Sequence, residues 1–267
     1  QNMTGATGMV MANYLFNVAP QDGTYIGIVQ NGLPTSQAVG VEGIKFDATR
    51  FQWIGSVAST TETMVTWKTT GVTTIEEARN KEVIVGAVGS SGITLSFPVM
   101  LNDLAGTKFK MVLGYTGTGA LDLAMERGEI SGRAGSWSSL KAAKPNWVAN
   151  KDINVLVHSG PKSKDLTNVP STEDVITRPD DREVHDIVTV GDTLGHPFAT
   201  GPNVPADRVA ALRKAFTDML ADSEFLKDAA ASKLEVDPVS AQALSSAVNR
   251  ALGASAASKQ RARKYFQ

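Results

Sequence analysis

Two glycine- and hydroxyl-rich stretches hold the side chains best suited to chemistry: Gly86-Ala87-Val88-Gly89-Ser90-Ser91-Gly92-Ile93-Thr94 and Tyr115-Thr116-Gly117-Thr118-Gly119. Each follows an apolar run and feeds a helix-forming one. That placement puts unbonded backbone N–H groups and small hydroxyls at a helix start, where the aligned peptide dipoles favour an anion. The glycines let the backbone approach a ligand, and Ser90, Ser91, Thr94, Thr116 and Thr118 add neutral donors. Neutral donors suit reversible capture of a carboxylate. The same hydroxyls serve equally well as N-caps of ordinary strand-to-helix turns, and both readings stand at this point. Arg133, between Gly132 and Ala134 and close to Ser136, has room to clamp a carboxylate with its guanidinium fork, or to form an ion pair at the surface or between lobes. Trp137 could be a stacking wall or part of the core.

Stricter chemistries find no support. The chain has no cysteine, so disulfides, thiolate nucleophiles and Cys-based metal sites are excluded. Neither loop ends in Gly-Lys-Ser/Thr or keeps the G-x-G-x-x-G spacing of a dinucleotide site. A nucleophile elbow fails because Ile93 stands where its second glycine is needed. His158, His185 and His196 lie far apart without metal-ligand spacing. Only His196, in the glycine-rich run Gly191 to Pro197, belongs to a segment that could reach a site. Glu76-Glu77 and Asp180-Asp181 read as helix-start charges. No cofactor and no enzymatic activity are expected.

The elements that must position these loops alternate. Met9 to Val18 reads as a helix, Thr24 to Gln30 as a strand broken by Asn31-Gly32, and Phe51 to Val57 and Met64 to Trp67 as strands. Thr73 to Glu76 has capping-box spacing and opens a helix to about Asn80. Val83-Ile84-Val85 is apolar and β-branched, as in a strand buried on both faces of a parallel sheet. Helices follow over Ile93 to Leu104 and Ala120 to Arg127, and strands over Phe109 to Leu113 and Ile153 to Val157. The last third is helical, with Pro205 near a helix start, an apolar stripe of Val209, Leu212, Phe216 and Leu220, and a solvated basic end over Lys259 to Lys264. Strand, glycine-rich loop and helix in succession predict an α/β fold with mostly parallel sheets.

Length and composition agree. The 267 residues suffice for two modest domains, and 42% hydrophobic with 20% charged residues is ordinary for a globular chain. With 26 basic and 27 acidic residues, and no basic block, nothing recruits nucleic acid or an anionic membrane. No run approaches the ~20 apolar residues of a membrane-spanning helix. Gln1-Asn2-Met3-Thr4 carries no signal-peptide pattern, so a leader is expected to have been removed or the chain to be a piece of something longer.

Six strings in order resemble the tripartite tricarboxylate transporter substrate-binding family, the Bug proteins. Gln1 to Gly8, with Ala12 to Leu15 and Ala19-Pro20-Gln21-Asp22-Gly23-Thr24, is similar to the family's N-x-P-G-A-G-G…A…AP-x-DGYT segment, Thr4 replacing the usual proline. Ile84 to Gly92 resembles the strand and GS-x-G-x-G loop of its second domain, and Gly114-Tyr115-Thr116-Gly117 its PY-x-G turn. Met125 to Ile130, Asn168 to Asp174 and Ala199 to Pro205 are similar to three later motifs.

The resemblance implies two Rossmann-like lobes of the periplasmic-binding-protein type with a ligand cleft between them. It divides the chain into residues 1–67 with 193–267 and residues 68–192. It implies a periplasmic, monomeric protein that captures a small organic carboxylate for a membrane permease. Carried over, solute contacts fall at Asn31, Gly32 and Thr35 in the first lobe, and at Gly89, Ser90, Ser91, Thr94, Tyr115, Thr116, Gly117 and Thr118 in the second. Arg133 and Ser136 follow the next strand, and His196 marks the re-entry; Arg133 departs from the commoner acidic/Asn pattern there. Family members begin with a strand, a glycine-rich loop and a helix ahead of the segment matched by Gln1, so the first lobe is expected to lack them. The alternative on the same scaffold is the ligand-sensing domain of a regulatory or signalling protein.

Overall fold

The computed structural model describes residues 2–3, 5–89, 92–161, 163–232 and 234–266, without the side chain of residue 7. Helix α1 (Met9–Asn17) buries Ala12 and Leu15. Strand β1 is only Gly27–Ile28, shorter than the Thr24 to Gln30 expected, because it pairs on one side alone. Helix α2 (Leu33–Ala38) and strands β2 (Gln52–Ser56) and β3 (Glu62–Trp67) follow. Helix α3 (Ile75–Asn80) opens with a reciprocal capping box between Thr74 and Glu77, one residue later than the Thr73 to Glu76 spacing. Strand β4 (Val83–Val88) leads to α4 (Ile93–Ala105), β5 (Phe109–Tyr115) to α5 (Thr118–Glu126), and β6 (Gly132–Ser136) to α6 (Trp137–Ala143) and α7 (Pro145–Ala149). Then come β7 (Ile153–Ser159), α8 (Thr172–Val175), α9 (Pro179–Leu194), β8 (Pro197–Thr200), α10 (Ala206–Ala221), α11 (Ser223–Ala231), β9 (Val239–Ser240), α12 (Ala241–Gly253) and α13 (Ala256–Arg263).

Sequence reasoning missed α9. Its centre, Ile187-Val188-Thr189-Val190-Gly191, is poor in helix propensity, but Val184, Ile187, Val190 and Leu194 are buried. Burial of one apolar face outweighs a few tenths of a kcal/mol of propensity per residue.

The chain divides into two compact units, residues 1–59 with 189–254 and residues 60–188 with 255–267. In the first, the strand order is β1-β8-β2-β9 and every pair is antiparallel. The mostly parallel expectation fails here because β8, from late in the chain, lies beside both β1 and β2 and runs against them. Trp53, Phe51, Leu244 and Val248 form its core with α1 and α12.

The second unit holds the sheet β5-β4-β6-β3-β7. Strand β4 is parallel to β5 and β6, while β3 is antiparallel to β6 and β7, so four strands run one way and β3 the other. Strand β3 thus belongs to this sheet, whereas the sequence reading ends the first lobe at residue 67. Helix α13 also joins the second unit. There Arg261 pairs with Asp103 and Asp181, each at 2.6 Å, and Ala262 and Tyr265 are buried, so the basic end is anchored rather than freely solvated. Ile84 is exposed, contrary to the two-faced burial expected of β4. Gly86 explains the packing of the same strand: a Cβ there would meet Ile130 and Leu121 at 2.5 and 2.6 Å.

Candidate functional site

The strand register of the second unit builds one rim. Tyr115 at the end of β5 lies beside Val88 of β4, and Gly86 of β4 beside Arg133 of β6. Ser136 at the end of β6 faces Glu62 at the start of β3, and Glu62 faces Ser159 at the end of β7. Helices α4, α5 and α6 all start from this edge. It is the carboxyl edge of the co-directional strands, where open α/β sheets bind ligands.

The helices differ in how they start. Hydroxyl or carboxylate side chains cap α3 (Thr74), α6 (Ser136), α8 (Ser171), α11 (Asp222), α12 (Ser240) and α13 (Ser255). Among the described residues α1, α2, α4, α5, α7 and α10 have no side-chain cap, and of these α4 and α5 start at this rim, at Gly92 and Gly117. The Leu95 and Ser96 amides bond to the Gly92 carbonyl, and those of Ala120 and Leu121 to the Gly117 carbonyl. The amides of each first turn that precede these point along the helix axis toward the rim. The N-cap position of each is thus a glycine and not a hydroxyl residue.

The expected residues are distributed as follows. Thr94 is buried, and its Oγ1 accepts from the Val88 N–H at 3.0 Å, tying α4 back to the end of β4 while keeping its own proton to donate. Gly89 is exposed with φ 67°, a left-handed turn that favours glycine. Tyr115 is half-buried, and Thr116 and Thr118 are exposed around Gly117. Ser90 and Ser91 lie outside the described residues. The rim therefore brings together Gly89, Thr94, Tyr115, Thr116, Gly117, Thr118 and Ser136. The Ser136 Oγ sits 3.0 Å from the Ser138 Oγ.

In the first unit, the Asn31 side chain donates to the Gly191 carbonyl at 3.1 Å and the Gly32 amide to Gln30 Oε1 at 2.7 Å. Thr35 is buried in α2. His196 is exposed, and its backbone N–H donates to Ser56 Oγ and to the Ala58 carbonyl. A cavity of about 550 Å³ in this unit is lined by Met11, Tyr14, Leu15, Tyr25 and Ile28 among others. No expected site residue lines it.

Arg133 is placed differently from a solvent-facing clamp. It is 3% exposed, and its Nε donates to Asp122 Oδ1 at 2.6 Å, a buried ion pair internal to the second unit. Trp137 is buried, with its Nε1 donating to Asp165 at 3.3 Å, so it belongs to the core.

Two residues of this region escaped sequence reasoning. Asp122 lies among Leu121, Ala124 and Met125 on the buried side of α5, and a lone carboxylate on an apolar stripe signals a buried cation. Glu62 is 8% exposed, and its Oε2 has no hydrogen-bond partner among the described residues. Burial pushes its carboxyl up to about 7, against the pull of Arg133. Its signal was faint, one acid among threonines before an apolar run. Among the described residues no cluster of His, Cys, Asp or Glu could hold a metal, and no helix is long and apolar enough to cross a membrane.

Known proteins share the family and the fold. The model of the NMT1-like family matches residues 17–257. The chain belongs to the NMT1-like family. No curated protein matches the sequence. Among solved structures, this NMT1-like chain is similar to a TctC solute-binding protein from Polaromonas, with TM-score 0.74 and 16% identity over 100% of this chain and 85% of that one. It is similar to MatC from Rhodopseudomonas palustris with bound malate, with TM-score 0.59 and 15% identity over 100% and 87%. A second R. palustris protein, solved with adipate, gives TM-score 0.59 and 17% identity over 99% and 85%. The NMT1-like chain thus has the α/β fold of periplasmic solute-binding proteins.

Proposed function

We propose that this protein captures a small organic carboxylate outside the cytoplasm and delivers it to a membrane permease of the tripartite tricarboxylate type. The observation that carries the reading is the pair of glycine-started helices α4 and α5 at the carboxyl edge of one sheet. Their first-turn amides, with Thr94, Thr116 and Thr118, form a neutral, donor-rich cradle suited to a carboxylate that must be released again. The full-length likeness in fold to proteins solved with malate and adipate supports the same solute class. Gly89, Ser90, Ser91, Tyr115, Gly117 and Ser136 complete the proposed contacts in this unit, and Asn31, Gly32, Thr35 and His196 those in the other.

A thermal-shift and calorimetric panel tests this, with malate, succinate, adipate, citrate, benzoate and glutamate as members. An acid present at 100 times its Kd stabilises the folded chain by about 2.7 kcal/mol, a midpoint rise of roughly 5–10 °C at this size. Silence toward every acid of the panel, with amines or sugars active instead, would overturn the assignment.

A further inference from the structure

Glu62 is the one acidic side chain on the rim line that runs through Tyr115, Val88, Ser136, Glu62 and Ser159. Directly opposed residues of antiparallel strands present their side chains on one face, so Glu62 stands between Ser136 and Ser159. Strands are spaced by ~4.8 Å, and one strand, β6, separates β3 from β4, so Glu62 lies about 10 Å along the rim from the end of β4. That separation matches a small solute with a polar group at each end, one end held by the first-turn amides of α4 and α5. A carboxyl oxygen buried without a partner leaves a hydrogen bond unmade, which a native structure rarely tolerates without a ligand or water to complete it.

We propose that Glu62 is a solute-recognition residue that stays protonated in the complex and donates its proton in a hydrogen bond to a carboxylate of the captured acid, so that capture takes up a proton from solvent. The inference rests on the carboxylate reading above and deepens it, naming acids with a second polar group as the solute class.

The charges around Glu62 favour the protonated form. Arg133 on β6 pulls this carboxyl toward its charged form, but it is paired with Asp122 on α5, and burial outweighs the pull. Lys141 on α6 is engaged by Asp165 at 2.5 Å. His158 on β7 pairs in register with Thr63 and so lies on the opposite face. Desolvation, which raises this carboxyl toward neutrality, would be strengthened by an incoming solute carboxylate, since like charges disfavour joint ionisation. A charged Glu62 would instead select an ammonium or hydroxyl donor, and affinity would then rise with pH.

The test measures the affinity of the wild-type chain and of Glu62→Gln for succinate, citrate and malate between pH 5.5 and 9, by calorimetry in two buffers of different ionisation heat. Wild type is expected to weaken about tenfold per pH unit above roughly pH 7 and to take up close to one proton per solute at pH 8. Glu62→Gln, an amide that donates but cannot titrate, is expected to bind a few-fold more weakly at pH 6 and to lose both the slope and the proton uptake. Thermal unfolding of the variant checks that it is folded. Binding by wild type that is flat with pH, or that tightens as pH rises, overturns the role of Glu62 while leaving carboxylate capture intact. Absence of binding in both proteins at every pH overturns the two together.

Discussion

At the scale of single residues, burial decides what the charges of the second unit can do. Glu62 titrates at an ordinary 4.5 when exposed and at about 7 in the fold. Between those values the folded chain keeps a proton that the unfolded chain has released. Stability therefore falls as pH rises from about 4.5 to 7 and stays at the lower level above that. Glu62→Gln removes the titration, so urea unfolding at pH 5 and pH 8 should show the variant gaining on wild type by up to about 3 kcal/mol at the higher pH. Equal pH profiles would contradict the burial of this carboxyl. Arg133 and Asp122 form the second case. Their side chains are 4% and 3% exposed, so removing one partner leaves a buried charge uncompensated. Asp122→Leu or Arg133→Met alone is expected to cost about 3 kcal/mol, while the double variant recovers most of it. A denaturant-midpoint cycle measures this, and additive losses would mean that the pair is not coupled.

At the scale of elements, the tie between the last helix and α4 is the most exposed to test. Arg261 of α13 bonds Asp103 of α4 and Asp181 of α9, and the Tyr265 hydroxyl donates to the same Asp103 carboxylate. The hydrogen bond from Arg261 is the main cause of the lowered titration of Asp103. Its contribution is present above the usual carboxylate range and is lost as pH falls through the depressed value. Arg261→Ala removes the closer of the two described ion-pair partners of the buried Asp181, leaving Arg178 at 3.5 Å. A loss of about 1–2 kcal/mol is expected after allowing for the partial exposure of Arg261. Hydrogen exchange over residues 255–266 should accelerate in that variant; unchanged protection would show that apolar burial of Ala262 and Tyr265 alone holds the segment.

At the scale of the whole molecule, local pattern and long-range pairing answered different questions. The sequence by itself determined the α/β class, the strand–loop–helix units from Val83 to Glu126 and the two glycine turns that carry the proposed function. Apolar runs, glycines and caps act within a few residues, and so they can be read from neighbours alone. Tertiary structure decided what each strand lies against. It turned the β1-β8-β2-β9 sheet antiparallel, moved β3 into the sheet of the second unit, and made a helix of Pro179 to Leu194. It also turned Arg133 from a free clamp into half of a buried pair, and gathered Ser136, Glu62 and Ser159 onto one rim from positions up to 97 residues apart (62 to 159). Pairing partners and burial are set by contacts between segments distant in the chain, and it is burial, not residue type, that fixes whether a carboxyl is charged.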